Sequence, residues 1–266
     1  MSGPLYRWLV RRAARGVGAW VVLLACYEWL LIWIYPSIAR NHALSAVMAG
    51  LPRGLVAAFG LGGGSETLAV FLSSEFFSFI WILGLAGFAA VEAARLPAGM
   101  LERGQLTPLL LTPTSRRGVV VAAAAALLTE ILALDALSLL AAALLAAVYG
   151  VSRAGVDFGL LGLGSFVLLA FLAMVALAAS CLLADERSAL GVAGGIGFIF
   201  YVLDFAARLS PRLSGLTHLT PFALYRPEAL LAGHAPLGGL AGLALAAAGL
   251  LALAAEWFSR LDLRMA

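Results

Sequence analysis

The sequence predicts an all-α, polytopic membrane protein. It has six transmembrane helices behind an N-terminal amphipathic interfacial helix, in a single transmembrane domain over residues 1–266. Three observations predict this. First, 63% of the 266 residues are hydrophobic and only 12% are charged, with a mean hydropathy of +1.03. A soluble domain is about 45–50% apolar and about 25% charged, so this chain lacks the polar surface to cover a water-exposed globule. Second, apolar runs of roughly the 20 residues that cross a bilayer recur six times. Third, arginine and proline concentrate between the runs.

Residues 1–16 are basic and amphipathic. Leu5, Trp8 and Leu9 alternate with Arg11, Arg12 and Arg15 as in a helix lying in the membrane plane. A signal peptide would also start basic, but the apolar run after it is long for one and lacks a small-residue cleavage site. Residues 17–36 are span 1, with Trp20, Trp29 and Trp33. A loop with Pro52 and Gly62-Gly63-Gly64 leads to span 2, residues 71–94. Residues 95–117 form a basic, proline-containing connection. Span 3, residues 118–148, exceeds what a bilayer needs, which implies tilt or protrusion. Span 4 covers 160–184, and the tight turn Asp185-Glu186-Arg187 separates it from span 5, 189–206. Residues 207–236 form a long external segment before span 6, 237–257.

Six spans return both termini to one side. That side collects eleven of the 17 arginines and the opposite loops six, so the positive-inside rule puts both termini in the cytoplasm. Gly191/Gly195 and Gly238/Gly242 are small-xxx-small pairs that let helix backbones approach. A glycine-rich composition alone would also produce them.

Several chemistries are excluded. All basic residues are Arg and none is Lys, so there is no Walker A lysine, Schiff-base lysine or Ser-Lys dyad. His42, His218 and His234 are scattered without metal-ligand spacing, so no metal is expected. Cys26 and Cys181 lie in apolar runs and read as small hydrophobes. The arginines flank apolar runs, so the pI of about 9.2 reflects membrane and not nucleic acid.

Acidic residues within spans are costly and mark function more often than soluble-core charges do. Glu28 falls in span 1, Glu130 and Asp135 in span 3. The latter pair is separated by about 500° of helix, leaving the carboxylates about 140° apart, so they do not form one acid/base site. For the three the sequence allows a polar cavity or transport path, helix–helix hydrogen bonding, or a carboxyl kept protonated by burial. Glu92/Arg95, Asp204/Arg208 and Glu256/Arg260 have the spacing of local ion pairs.

The most informative stretch is Leu101-Glu102-Arg103-Gly104-Gln105-Leu106-Thr107-Pro108-Leu109-Leu110-Leu111-Thr112-Pro113-Thr114-Ser115-Arg116-Arg117. It reads as a short helix at the membrane surface, held by arginine at the headgroups. Its Glu102, Gly104, Leu106, Leu109, Leu110, Pro113, Ser115 and Arg116 resemble a pattern of the ABC-2 type permeases, the membrane subunits of ABC transporters. Gln105 stands where that pattern has Thr, and Pro108 adds a helix breaker. Tyr35-Pro36-Ser37 with Leu51-Pro52 and Ala58-Phe59-Gly60 resembles the first external loop of a bacterial branch. Thr220-Pro221-Phe222, with Tyr225 and Pro227, is similar to the segment before the last span in that family.

The resemblance implies a type V exporter-like permease in a bacterial cytoplasmic membrane. It would be paired with a second permease copy or homologue and driven by separate ABC ATPase subunits. ATP and Mg would sit on those partners, and this chain would bind no cofactor and be no enzyme itself. Residues 99–112 would be the main coupling helix, with Glu102, Arg103, Gly104, Gln105, Leu106, Leu109, Leu110, Pro113 and Arg116 facing the ATPase. Asp185, Glu186 and Arg187 would form a smaller contact. By the same analogy spans 2 and 5 line the cavity, with Phe76, Phe79, Trp81, Phe198, Phe200 and Tyr201 as walls for a hydrophobic or amphipathic cargo. Two readings stand beside it: an intramembrane lipid-modifying enzyme, and an ion-coupled carrier using Glu28 and Glu130.

Overall fold

The computed structural model describes residues 3–40, 72–106, 115–149, 157–183 and 185–260. Among them are helices and no strand. Helix α1 is Gly3–Arg40. A π-helical stretch, Ser73–Trp81, runs into α2, Ile82–Arg95, and α3, Pro97–Glu102, comes at once after it. Next come α4, Arg116–Val148, α5, Phe158–Leu182, and α6, Glu186–Leu209. Two 3₁₀ turns, Pro211–Leu219 and Pro221–Leu224, precede α7, Pro227–Leu231, and α8, Leu237–Arg260. Six helices, Gly3–Ser37, Phe76–Glu102, Arg116–Val148, Phe158–Leu182, Glu186–Leu209 and Leu237–Arg260, are long and apolar enough to cross a membrane.

Helix α5 is the hub. It carries no charged residue and is apolar on every side, the pattern of a helix wrapped by others. It packs on α2, α4, α6 and α8, while α1 lies outside, against α4. The Ser165 hydroxyl donates to Asp135 Oδ1 at 2.7 Å and so ties α5 to α4. Three helices open on side-chain caps that accept an orphan N–H: Ser115 from Gly118, Asp157 from Leu160 and Asp185 from Ser188. Close helix approaches fall at Gly162, Gly164 and Gly239, where an added Cβ would come within 2.9 Å of Leu139, 2.7 Å of Leu230 and 2.5 Å of Leu224. At Gly191, Gly195, Gly238 and Gly242 a Cβ would meet nothing within 4 Å among the described residues, so neither small-xxx-small pair packs one of the described helices.

Four expectations are corrected. The interfacial helix and span 1 are one unbroken helix, because Gly16 and Gly18 weaken a helix without stopping it. The second span continues past residue 94. Pro97 supplies no N–H and bends the chain at Leu96, but it opens α3 at once, with Pro97, Ala98, Gly99 and Met100 buried. Span 5 begins at Glu186 and ends at Leu209, because the Asp185 cap starts the helix earlier. The 207–236 segment is built from short helices folded back on the bundle: the Tyr225 hydroxyl donates to the Phe77 carbonyl at 3.2 Å, and the Asp157 N–H to Leu231 O at 2.8 Å.

The three local ion pairs form as their spacing predicts, at 2.6 Å for Arg95–Glu92, 2.6 Å for Arg208–Asp204 and 2.8 Å for Arg260–Glu256. Arg117 reaches the same Glu256 from α4 and so joins the start of α4 to the end of α8.

Trp81 is fully buried and its indole N–H donates to Ser138 Oγ at 2.7 Å. Ser138→Ala leaves that donor without an acceptor and is expected to cost about 1–2 kcal/mol. Adding Trp81→Phe removes the orphaned donor and is expected to recover part of the loss. Thermal unfolding of the detergent-solubilised protein measures both; equal melting of wild type and Ser138→Ala would remove the bond from the stabilising set.

Candidate functional site

The ion pairs described in the bundle lie at the helix ends, and one end carries most of the residues singled out from the sequence. There the break between α2 and α3 meets the start of α6. Arg103 Nη1 donates to Glu186 Oε2 at 2.6 Å, and its Nη2 donates to the Arg95 carbonyl at 3.1 Å. Arg95, paired with Glu92, also faces Glu186 Oε1 at 3.8 Å. The Glu186 N–H donates to Glu102 Oε2 at 3.2 Å. Two segments 83 residues apart are thus clasped by reciprocal charged contacts.

Local sequence explains the clasp. Pro97 turns the chain and Gly104, at φ +65°, ends α3 in the left-handed conformation that glycine adopts at little cost. Asp185 accepts the Ser188 N–H at 2.6 Å and aims the first turn of α6. Ser188, through its hydroxyl first and then its N–H, holds the Asp185 carboxyl below the usual carboxylate range. Ser180 of α5 closes the back: its Oγ accepts the Ala98 N–H at 3.0 Å and lies 3.4 Å from the Ala94 carbonyl. Gly99 leaves room for the charges, since a Cβ there would lie 2.6 Å from both Arg103 Nη2 and Glu186 Oε2.

Of the residues expected to couple, Glu102, Arg103, Asp185 and Glu186 are brought together. Arg187 is exposed beside them, Gln105 is half-buried and Leu106 is buried. Arg116 opens α4. Leu109, Leu110 and Pro113 lie outside the described residues. Arg95, Gly99 and Ser180 complete the cluster and were missed. Arg95 had a nearer partner in Glu92, and a glycine in a helix or one serine in an apolar run carries no pairing information.

The carboxylates within the helices do not converge. Glu28 is 0% exposed, and neither oxygen has a partner among the described residues. Asp135 is bonded to Ser165. Glu130 is buried, with one oxygen unpartnered and with Glu92 and Arg12 as the charged groups acting on it.

The aromatic residues also divide. Phe76 and Trp81 are fully buried with Phe77 in the core, so within this chain they are packing residues. Phe79 is exposed beside Tyr201, with ring centroids 5.9 Å apart, and Phe198 is 65% exposed. Phe200 accepts the Thr220 hydroxyl at its carbonyl at 2.8 Å.

At the opposite end of α6, Asp204 holds Arg208 at 2.6 Å and faces Arg226 at 3.7 Å. Burial holds the Arg226 guanidinium below its usual value and pushes the Tyr225 phenol well up.

No protein-family model matches the chain, and no curated protein is similar to it. The described residues contain no group of three or more His, Cys, Asp or Glu placed to hold a metal ion.

The clasp can be probed in two ways. Arg103 and Glu186 side chains are 38% and 27% exposed, so solvent screens them. A double-mutant cycle of Arg103→Ala and Glu186→Ala is expected to give a coupling of about 0.5–1 kcal/mol in chemical unfolding; strict additivity would show that the pair is decorative. Because the folded Asp185 carboxyl lies below its unfolded value, its cap is in place above about pH 4 and is lost as pH falls through the folded value. Asp185→Asn is expected to flatten the acid limb of a stability-versus-pH curve, and an unchanged acid limb would remove the cap from that dependence.

Proposed function

We propose that the chain is the permease subunit of an ATP-driven ABC transporter of the ABC-2 type. It would export a hydrophobic or amphipathic substrate and be powered by separate ATPase subunits that carry ATP and Mg. The observation that carries this reading is the clasp. Residues 102–103 and 185–186, which the resemblance assigns to two separate contacts with the ATPase, meet through Glu186. A partner pressing on α3 would therefore move the end of α2 and the start of α6 together. Since α2 and α6 both lean on α5, a push at this end would change how they pack, the rigid-body switching by which bundles alternate between states.

The arginine distribution supports a cytoplasmic clasp and cytoplasmic termini in a bacterial inner membrane. A second permease copy or homologue would complete the path, with exposed Phe79 and Phe198 and half-buried Tyr201 facing the cargo and Phe76 and Trp81 backing them. One observation favours a second reading, an ion-coupled carrier: Glu28 is fully buried within a membrane-spanning helix, with both oxygens unpartnered among the described residues.

Mild-detergent extraction of the tagged chain from its native membrane tests the proposal. A stoichiometric P-loop ATPase with vanadate-sensitive activity is expected to accompany it; a single chain with no ATPase would shift the assignment to the carrier. In the intact complex, Glu102→Ala with Arg103→Ala is expected to leave insertion and basal hydrolysis in place and to lower substrate-stimulated hydrolysis and transport by about ten-fold. Full stimulation in that variant would show that the clasp does not couple.

A further inference from the structure

The N-terminal half of α1 carries an unpartnered basic face at an unexpected depth. Arg7, Arg11 and Arg15 recur at four-residue spacing, about 40° apart around the helix and about 6 Å apart along it. All three are exposed, and none makes an ion pair among the described residues. Leu5 and Leu9 are buried against the bundle. Arg7 and Arg11 each lie two residues further on, about 200° round the helix, so the arginines point directly away from it. Residues 1–27 contain no Asp or Glu. Arg12 stands apart on the flank, 5.5 Å over the Trp8 ring and near Glu130.

Two hydrogen bonds set the depth of this face. The Thr129 hydroxyl proton is already engaged with the Ala125 carbonyl, so Tyr6 donates to Thr129 Oγ1, at 3.0 Å. The Trp29 indole N–H donates to the Tyr149 hydroxyl at 2.8 Å. Helices α1 and α4 therefore run parallel, and Tyr6 sits about 20 Å along α4 from its first residue, Arg116. On the neighbouring α5, residues 166–179, between the two serines bonded near its ends, contain no polar side chain. Exposed guanidiniums at the level of such a stretch cannot be left in hydrocarbon; they snorkel, thin the bilayer and draw polar groups in.

We propose that the Arg7–Arg11–Arg15 face of α1 is a docking surface for the phosphate headgroups of anionic phospholipids, drawn down into the flank of the bundle. Charge complementarity selects this occupant. Three guanidinium forks with no competing carboxylate on their face match phosphate oxygens bidentately. The exposed Trp8 indole offers the amphipathic surface that headgroup regions favour. A zwitterionic lipid brings a competing cation and gains less. The surface does not depend on what the protein transports.

The test uses the full chain, delipidated in detergent and offered an equimolar mixture of phosphatidylglycerol and phosphatidylcholine, with retained lipid counted by native mass spectrometry. The wild type is expected to keep phosphatidylglycerol over phosphatidylcholine by about ten-fold. Arg7→Gln, Arg11→Gln and Arg15→Gln together are expected to bring the ratio close to one, and the corresponding Lys triple to fall between. Arg116→Gln with Arg260→Gln, at other helix ends, is expected to leave it unchanged. If the Gln triple does not insert, Arg11→Gln alone is expected to lower the ratio. A wild type without preference, or a Gln triple or Arg11→Gln variant with the full preference, overturns the proposal. So does displacement of the lipid by excess inorganic phosphate, which would make this a site for the free anion.

Discussion

A helix that is to be surrounded on all sides can carry no charge on any side, and α5 meets that demand. Its 25 residues from Phe158 to Leu182 include no ionisable group except Cys181, and their polar hydroxyls, Ser165 and Ser180, lie near opposite ends and are both bonded. In a membrane the backbone of every spanning segment must satisfy itself, so the contest between helices is over side chains alone. With α5 in the middle, the helices around it hold their ion pairs at their ends, while Asp135 and Ser138 stay buried in α4 through bonds to Ser165 and Trp81. The break at Leu96, the clasp at Glu186 and the fold-back of residues 207–236 are all packed against this one helix.

The two ends of α6 differ in energy because they differ in burial. At its start, Glu186 and Arg103 are partly in solvent, where such a pair contributes little and yields readily. At its finish, Arg208 and Asp204 are only 13% and 4% exposed. Removing one partner there strands the other as a buried charge, which is strongly unfavourable. The helix is held firmly at one end and loosely at the other. Thr220 adds to the firm end by reaching back to Phe200, and Tyr225 by reaching Phe77.

Composition and periodicity were sufficient for the six spanning helices and for the i,i+3 and i,i+4 pairs, since both depend only on neighbours along the chain. The interfacial helix was misjudged for a physical reason: amphipathicity reports that one face is apolar, not whether lipid headgroups or α4 will cover it. Leu5 and Leu9 satisfy either arrangement, and the bond from Tyr6 to Thr129 decides it. Glu186 was legible as a member of a charged turn. Its partner on α3 was not, because a contact across 83 residues leaves no local trace. The aromatic residues divide in the same way, since burial separates Phe76 from Phe198 and hydrophobicity does not.

Glycine spacing is equally blind to distant contacts. Gly191 and Gly195 have the spacing that brings membrane helices together, yet on α6 they approach none of the described residues. Gly164 and Gly239 have no such motif, yet they receive the tips of Leu230 and Leu224. Both leucines belong to the short helical segments after α6, which lie on the bundle end instead of crossing the membrane. These two close approaches therefore serve to seat the fold-back segment at the end where Asp204 anchors it. The firm end of the molecule is firm because helix packing and buried charge act there together, whereas the pair that closes the clasp, Arg103 with Glu186, is partly exposed.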